Sequence, residues 1–252
     1  MEPVAYLDAI ARDSRMLLDA ARGALDEPVR ACPQWDVADV VAHIGVVWRW
    51  AADTVERGAE TASGERPTSA ERSAPPEDWQ EGSLLPWAAA GAERLLYVLG
   101  EVDPDVGCWT FGMPRTARFW FRRQALETAM HAWDVGMAAG VPVALETTLA
   151  ADGVDEFLTL GLARHLSRQP GTWNGESVHL HRTDGEGEWL VRLGPDGALD
   201  VTRAHGKGDV AMRGSAVDLW LWSTNRRTLD ETGIEVFGDA AIAARWSEQI
   251  SF

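Results

Sequence analysis

The sequence predicts an α+β protein of two units, a four-helix bundle followed by a smaller unit of short strands and helices. Three observations carry this expectation. Apolar residues recur at helical spacing in four long segments before residue 140. After about residue 176 the period changes, and β-forming residues cluster in short runs between Gly and Asp turns. Between the second and third helical segments lies Ala59 to Asp78, rich in Ser, Pro, Glu and Ala and too long for a routine connection.

The elements follow in chain order. Residues 4–23 carry Leu7, Ile10, Leu17, Leu18 and Ala21 at helical spacing, and Gly23 supplies a stop. In CPQWDVADVVAHIGVVWRWAADTV, Asp36 caps a second helix beginning near Val37, Asp39 holds the capping-box position and Trp35 can staple onto Val40. The 59–78 stretch reads as a mobile loop and a candidate lid. Residues 79–100, with Leu84, Leu85, Trp87, Leu95 and Leu96, form a third helix ending at Gly100. A fourth, at 116–138, puts Phe119, Leu126, Met130, Trp133 and Met137 on one face.

A further helix at 144–168 precedes the change of period. ESVHLHRT, EWLVRLG and ALDVTRA read as short antiparallel strands and DVAMRG as another. SAVDLWLWST is a helix capped by Ser215 or Gly214, GIEVFG a last strand and DAAIAARWSEQI a terminal helix. The boundary falls between 140 and 170, giving domains 1–150 and 151–252.

Lys and Arg total 23 against 39 Asp and Glu, a formal charge of -16, which repels phosphate backbones and anionic membranes. Nucleic acid and membrane partners are therefore not expected. No apolar run reaches the roughly 18 residues that span a bilayer, and the N-terminus lacks the basic and apolar regions of a signal peptide. A cytoplasmic protein is expected. Cys32 and Cys108 lie in no metal or redox spacing and read as buried, reduced thiols. The 13 tryptophans fill cores by default, but Trp also lines cavities for flat or apolar ligands.

The candidate site is on the fourth helix. Trp120, Gln124, Glu127, His131 and Asp134 project within about a third of its circumference, roughly 100° from the Phe119 stripe. Glu127 and His131 stand at i,i+4, the spacing of a surface pair worth a few tenths of a kcal/mol or of half a metal site. On spacing alone the surface pair is the commoner reading. His43 sits at a comparable angle beside the Val37/Val40/Val41/Ile44/Trp48 stripe of the second helix. Together His43, Glu127 and His131 make a two-His, one-carboxylate set that leaves coordination positions open. Asp134 is either an orienting acceptor for His131 or an ordinary helix residue. Trp50 and Trp120 are candidate pocket walls or helix-packing residues, and Arg226 and Arg227 are candidate carboxylate binders or an exposed pair. HLH at 179–181 puts two imidazoles on one strand face, but with no further partner it reads as strand surface. His165 and His205 likewise show no route to the site.

CPQWDVADVVAHIGVVWRWA and FWFRRQALETAMHAWDV closely resemble the DinB-like, mycothiol-dependent maleylpyruvate isomerase family, and the resemblance covers most of the chain. In that family the bundle binds a divalent metal through a His of the second helix and a Glu and His of the fourth, which implies His43, Glu127 and His131 as ligands. GDVAMRGSAVDLWLWSTNRR followed by IEVFGDAAIAARW is similar to the family's small sterol-carrier-like α+β domain. Two departures stand out. Gln34 replaces the Gly common before the Trp of the helix-2 lead-in, and STNRR replaces a WGRR-like run. An arginine near that run contributes to catalysis in the isomerase, which implies Arg226 or Arg227 in that role; Arg226 is assigned to it here, with Arg227, Trp50 and Trp120 as the substrate-binding candidates.

The resemblance implies a divalent metal, Zn²⁺ first and Ni, Fe or Mn as alternatives, with mycothiol as co-substrate. It also implies isomerisation of a small electrophile, or S-transfer to it; a monomer or homodimer is expected. The alternative is a non-catalytic carrier of a small molecule or lipid with a structural metal. Three protein ligands favour chemistry, and a fourth favours structure.

Overall fold

A computed structural model describes residues 1–58 and 74–250, and the chain divides into the compact units Met1–Ala144 and Leu145–Phe252. Most of the candidate lid at 59–78 lies outside the described residues. The first unit is a bundle of α1 (Pro3–Ala20), α2 (Val37–Arg57), α3 (Glu81–Glu101) and α4 (Ala117–Ala138). α1 and α2 each pack against both α3 and α4, so the His-bearing helices α2 and α4 are neighbours.

Local chemistry fixes how those two helices meet. α2 starts in a reciprocal capping box: the Asp39 amide donates to Asp36 Oδ1 at 2.9 Å, and the Asp36 amide donates to Asp39 Oδ2 at 3.0 Å. Trp48 is fully buried, and its indole N–H donates to Thr128 Oγ1 of α4 at 2.9 Å, pinning the two helices in register. On another side of α2, a Cβ at Gly45 would come within 2.3 Å of the Trp87 ring, so α2 meets α3 along bare backbone. One turn on, the Arg49 guanidinium lies over that ring, 4.1 Å from its centroid.

α4 is buried nearly all round. Phe119, Leu126, Met130 and Trp133 are buried as the apolar stripe predicts, but Met137, in the last turn, is 54% exposed. Gln124, Thr128, His131 and Asp134 are buried as well. These polar side chains must find partners inside the bundle.

The second unit is α+β. The helix expected over 144–168 is one continuous helical run, α5 (Thr147–Glu156), a π-helical turn (Phe157–Gly161) and α6 (Leu162–Leu166). The strands are β1 (Glu176–Arg182), β2 (Glu188–Leu193), β3 (Leu199–Thr202), β4 (Val210–Gly214) and β5 (Glu235–Gly238), with α7 (Ala216–Ser223) and α8 (Ala240–Gln249). The sheet order is β3-β2-β1-β4-β5. β1–β2, β2–β3 and β4–β5 are antiparallel while β1–β4 is parallel, so the sheet is mixed. α7 and α8 pack on β1 and β4, where Val178, Leu180, Val210 and Met212 are buried. By strand alternation His179 and His181 face the other side of the sheet. Among the described residues no helix is long and apolar enough to cross a membrane.

Candidate functional site

The packing of α2 on α4 brings His43, Glu127 and His131 together. One donor atom from each lies within 4.8 Å of the others. Glu127 Oε1 is 3.4 Å from His43 Nε2 and 3.5 Å from His131 Nε2. The two imidazoles stand 5.3 Å apart at 76°.

These spacings discriminate between a hydrogen-bonded trio and a metal site. Good N–H···O bonds fall at about 2.7–3.2 Å. Ligand atoms around a tetrahedral ion with bonds of about 2.0–2.1 Å are separated by about 3.4 Å. The two distances to Glu127 Oε1 are longer than firm hydrogen bonds and match a coordination edge.

The neighbours suit His43 and His131 to coordination. Burial first, then the charges of His131 and Arg123, lower the His43 pKa to about 4, leaving its ring neutral near pH 7. Asp134, itself buried, places Oδ2 3.1 Å from His131 Nδ1. A carboxylate that accepts from Nδ1 leaves Nε2 as the ring nitrogen that can coordinate. The donor set therefore fits a divalent ion.

Three further residues join the site that spacing did not single out. Arg123, one turn before Glu127, pairs with its carboxylate. The signal was present as an i,i+4 Arg–Glu pair. Trp35 stacks obliquely on His43 at 5.1 Å and also lines an open depression with Pro28, Val29, Arg30 and Pro33. Cys32, expected to be a buried thiol, is half-buried, and it brings a donor atom within 4.8 Å of donors on His131 and Asp134. Both reach the site because the lead-in to α2 folds back, a non-local feature that no spacing encodes. Cys108 is fully buried, and burial pushes its thiol up to about 11.

The tryptophan candidates lie together, but apart from the ligands. Trp50 and Trp120 pack edge to face at 5.0 Å within a cluster that includes Trp109, Phe111 and Phe119. Each is seven residues from a ligand, about 10 Å along its helix. Trp120 is fully buried and donates to the Trp109 carbonyl at 2.9 Å. Between the cluster and Glu127, Gln124 is 1% exposed, and its Oε1 has no hydrogen-bond partner among the described residues.

Arg226 and Arg227 belong to the second unit, at the end of α7. Asn225 takes φ 61°, and the amides of Asn225 and Arg226 donate to Trp222 and Leu221 carbonyls at 3.0 and 2.7 Å, a Schellman termination. Arg226 Nη1 donates to the Thr224 carbonyl at 3.0 Å, while Arg227 Nη1 lies 3.4 Å from Asp218 Oδ1.

Comparison with known proteins agrees with this architecture. Residues 7–136 match the mycothiol maleylpyruvate isomerase N-terminal domain, and 148–245 match the corresponding C-terminal domain. The crystal structure of a mycothiol-dependent maleylpyruvate isomerase matches at TM-score 0.63 and 14% identity over 93% of each chain. A His-to-Ala variant of that enzyme matches at TM-score 0.61 and 13% identity over the same shares. A ubiquinone-synthesis protein, UbiJ-SCP2, is matched over 42% of this chain and 96% of its own, at 16% identity and TM-score 0.29. Comparison with curated protein sequences finds no match. With both domain matches in order, the chain belongs to the mycothiol maleylpyruvate isomerase family.

Proposed function

We propose that this protein is a divalent-metal-dependent enzyme that activates a low-molecular-weight thiol, mycothiol, for isomerisation of a small electrophile or S-transfer to it. The observation that carries the reading is Glu127 Oε1 set 3.4 and 3.5 Å from two imidazole Nε2 atoms. Three protein ligands on two packed helices suit an ion with open positions, and family membership supports the thiol. When bound, the metal lowers the pKa of a coordinated thiol and supplies a thiolate at neutral pH. Zn²⁺ fits nitrogen, carboxylate and thiolate donors without redox chemistry; Ni²⁺, Fe²⁺ and Mn²⁺ are alternatives.

The chain's own residues divide the remaining work. His43, Glu127 and His131 hold the ion, Asp134 orients His131 and Arg123 holds the Glu127 carboxylate. Trp35, against His43 and facing the open depression, provides an apolar wall beside the ion. Gln124 offers a buried, unpaired acceptor about one turn from Glu127, suited to an amide N–H of the thiol. Arg226, with Arg227 as the alternative, is assigned the catalytic arginine role that the family resemblance implies. The test is metal analysis of the purified protein, followed by incubation with mycothiol and maleylpyruvate before and after chelation. Metal-dependent thiol chemistry is expected. Apolar ligand binding that survives chelation, with no thiol chemistry, would point instead to a carrier.

A further inference from the structure

The second unit carries its own cluster of metal-binding side chains. His179 and His181 project from one face of β1, and Glu188 is the cross-strand partner of His181 on β2. Leu190 pairs with His179, so Glu188 is also its diagonal neighbour. His205 comes from the loop between β3 and β4. Glu188 Oε2 lies 3.1 Å from His179 Nε2 and 2.7 Å from His205 Nδ1, and Oε1 lies 3.1 Å from His181 Nδ1. One donor atom from each of the four residues lies within 4.8 Å of all the others.

The loop is built to deliver His205. At Gly208 a Cβ would fall 2.9 Å from the His179 amide nitrogen, so the backbone lies directly on β1. Next to it, Asp209 Oδ2 accepts from the Ser177 amide at 2.8 Å and from its hydroxyl at 2.7 Å, anchoring the loop's end. The His179 and His205 rings meet at 5.4 Å and 89°. His179 is buried, whereas the His205 side chain is 82% exposed, so the cluster opens to solvent on the loop side.

We infer that His179, His181, Glu188 and His205 form a second divalent-metal site, a Zn²⁺ site that fastens the β3–β4 loop to the sheet. Three imidazoles and one carboxylate supply four protein ligands, the closed shell of a structural ion. The nitrogens already converge on the carboxylate. A tetrahedral ion requires edges of about 3.4 Å, so the cluster must open by about 0.3 Å at His179 and His181 and by about 0.7 Å at His205, the ligand carried on a loop. This site is independent of the thiol chemistry assigned to the helical cluster.

The test uses the full chain carrying His43→Ala and His131→Ala, which removes the helical cluster. With Zn²⁺ as the calorimetric probe, this protein binds one ion per chain, and adding His205→Ala or Glu188→Gln weakens binding at least tenfold. Zinc also raises its thermal midpoint, and the rise disappears with His205→Ala. Absence of zinc uptake while the strand cluster is intact, or uptake unchanged by both substitutions, overturns the site. Where the double variant does not fold, His205→Ala in the otherwise native chain reads the same quantity, two ions per chain falling to one. Zinc held only by the strand cluster would contradict the proposed function alone, so the two readings fail separately.

Discussion

Five of the six histidines gather in two clusters, and two kinds of secondary structure assemble them differently. In the bundle, His43, Glu127 and His131 stand on two helices whose register is fixed by the Trp48–Thr128 hydrogen bond and by close packing of α2 on α3 at Gly45. Their donor atoms remain 3.4 and 3.5 Å apart. In the sheet unit, two imidazoles on a strand and one on a loop contract to 2.7–3.1 Å around a single carboxylate. The contrast is one of preorganisation. Helices hold ligands at coordination distance in advance, whereas a loop lets them relax into hydrogen bonds that a metal must reopen. The helical cluster should therefore bind zinc more tightly than the strand cluster.

The largest expected effect is at the helical ligands. His131→Ala should weaken metal binding by more than about 100-fold and abolish thiol chemistry, since it removes a ligand and not merely its support. Metal content of the purified variant checks this. Asp134→Asn keeps every ligand but loses the acceptor on His131 Nδ1. It should weaken metal affinity by about 10–100-fold, read by competition with a chromophoric chelator. An Asp134 variant with unchanged affinity would remove preorganisation from the comparison.

Smaller effects probe the frame. Thr128→Val leaves the buried Trp48 N–H unpaired and should lower stability by about 1–3 kcal/mol in denaturant titration. If the helices do position the ligands, metal affinity falls with it. At the site's edge, Gln34 adopts φ 75°, a left-handed conformation that disfavours a side chain. Gln34→Gly should raise stability by about 1 kcal/mol. Asn225→Gly, at φ 61°, should change it by no more than a few tenths of a kcal/mol, because Asn tolerates that region.

These last two positions also show how far the sequence can be read. Both are places where the family resemblance leads one to expect glycine, and both take the positive φ that favours glycine. The elements of the bundle were legible because capping and apolar period are local: Asp36 and Asp39 form the expected box, and the stripe of α4 is buried as far as Trp133. Contacts set by tertiary folding were not. Cys32 reaches His131, and Trp35 reaches His43, only because the α2 lead-in folds back. His179 and His181 read as plain strand surface because Glu188 lies across a strand pair and His205 in a loop 24 residues beyond His181. The parallel pairing of β1 with β4 was equally hidden, since alternation fixes a strand's faces but not its partner.

The central claim is that the helical trio holds a catalytic metal. The most direct test is the zinc stoichiometry of a chain whose strand cluster has been removed by His179→Ala and His205→Ala, measured with and without His131→Ala. One tightly bound ion per chain, lost on adding His131→Ala together with turnover of mycothiol and maleylpyruvate, is the predicted result. Zinc retained at full stoichiometry after His131→Ala, or thiol chemistry that continues without it, would contradict the account.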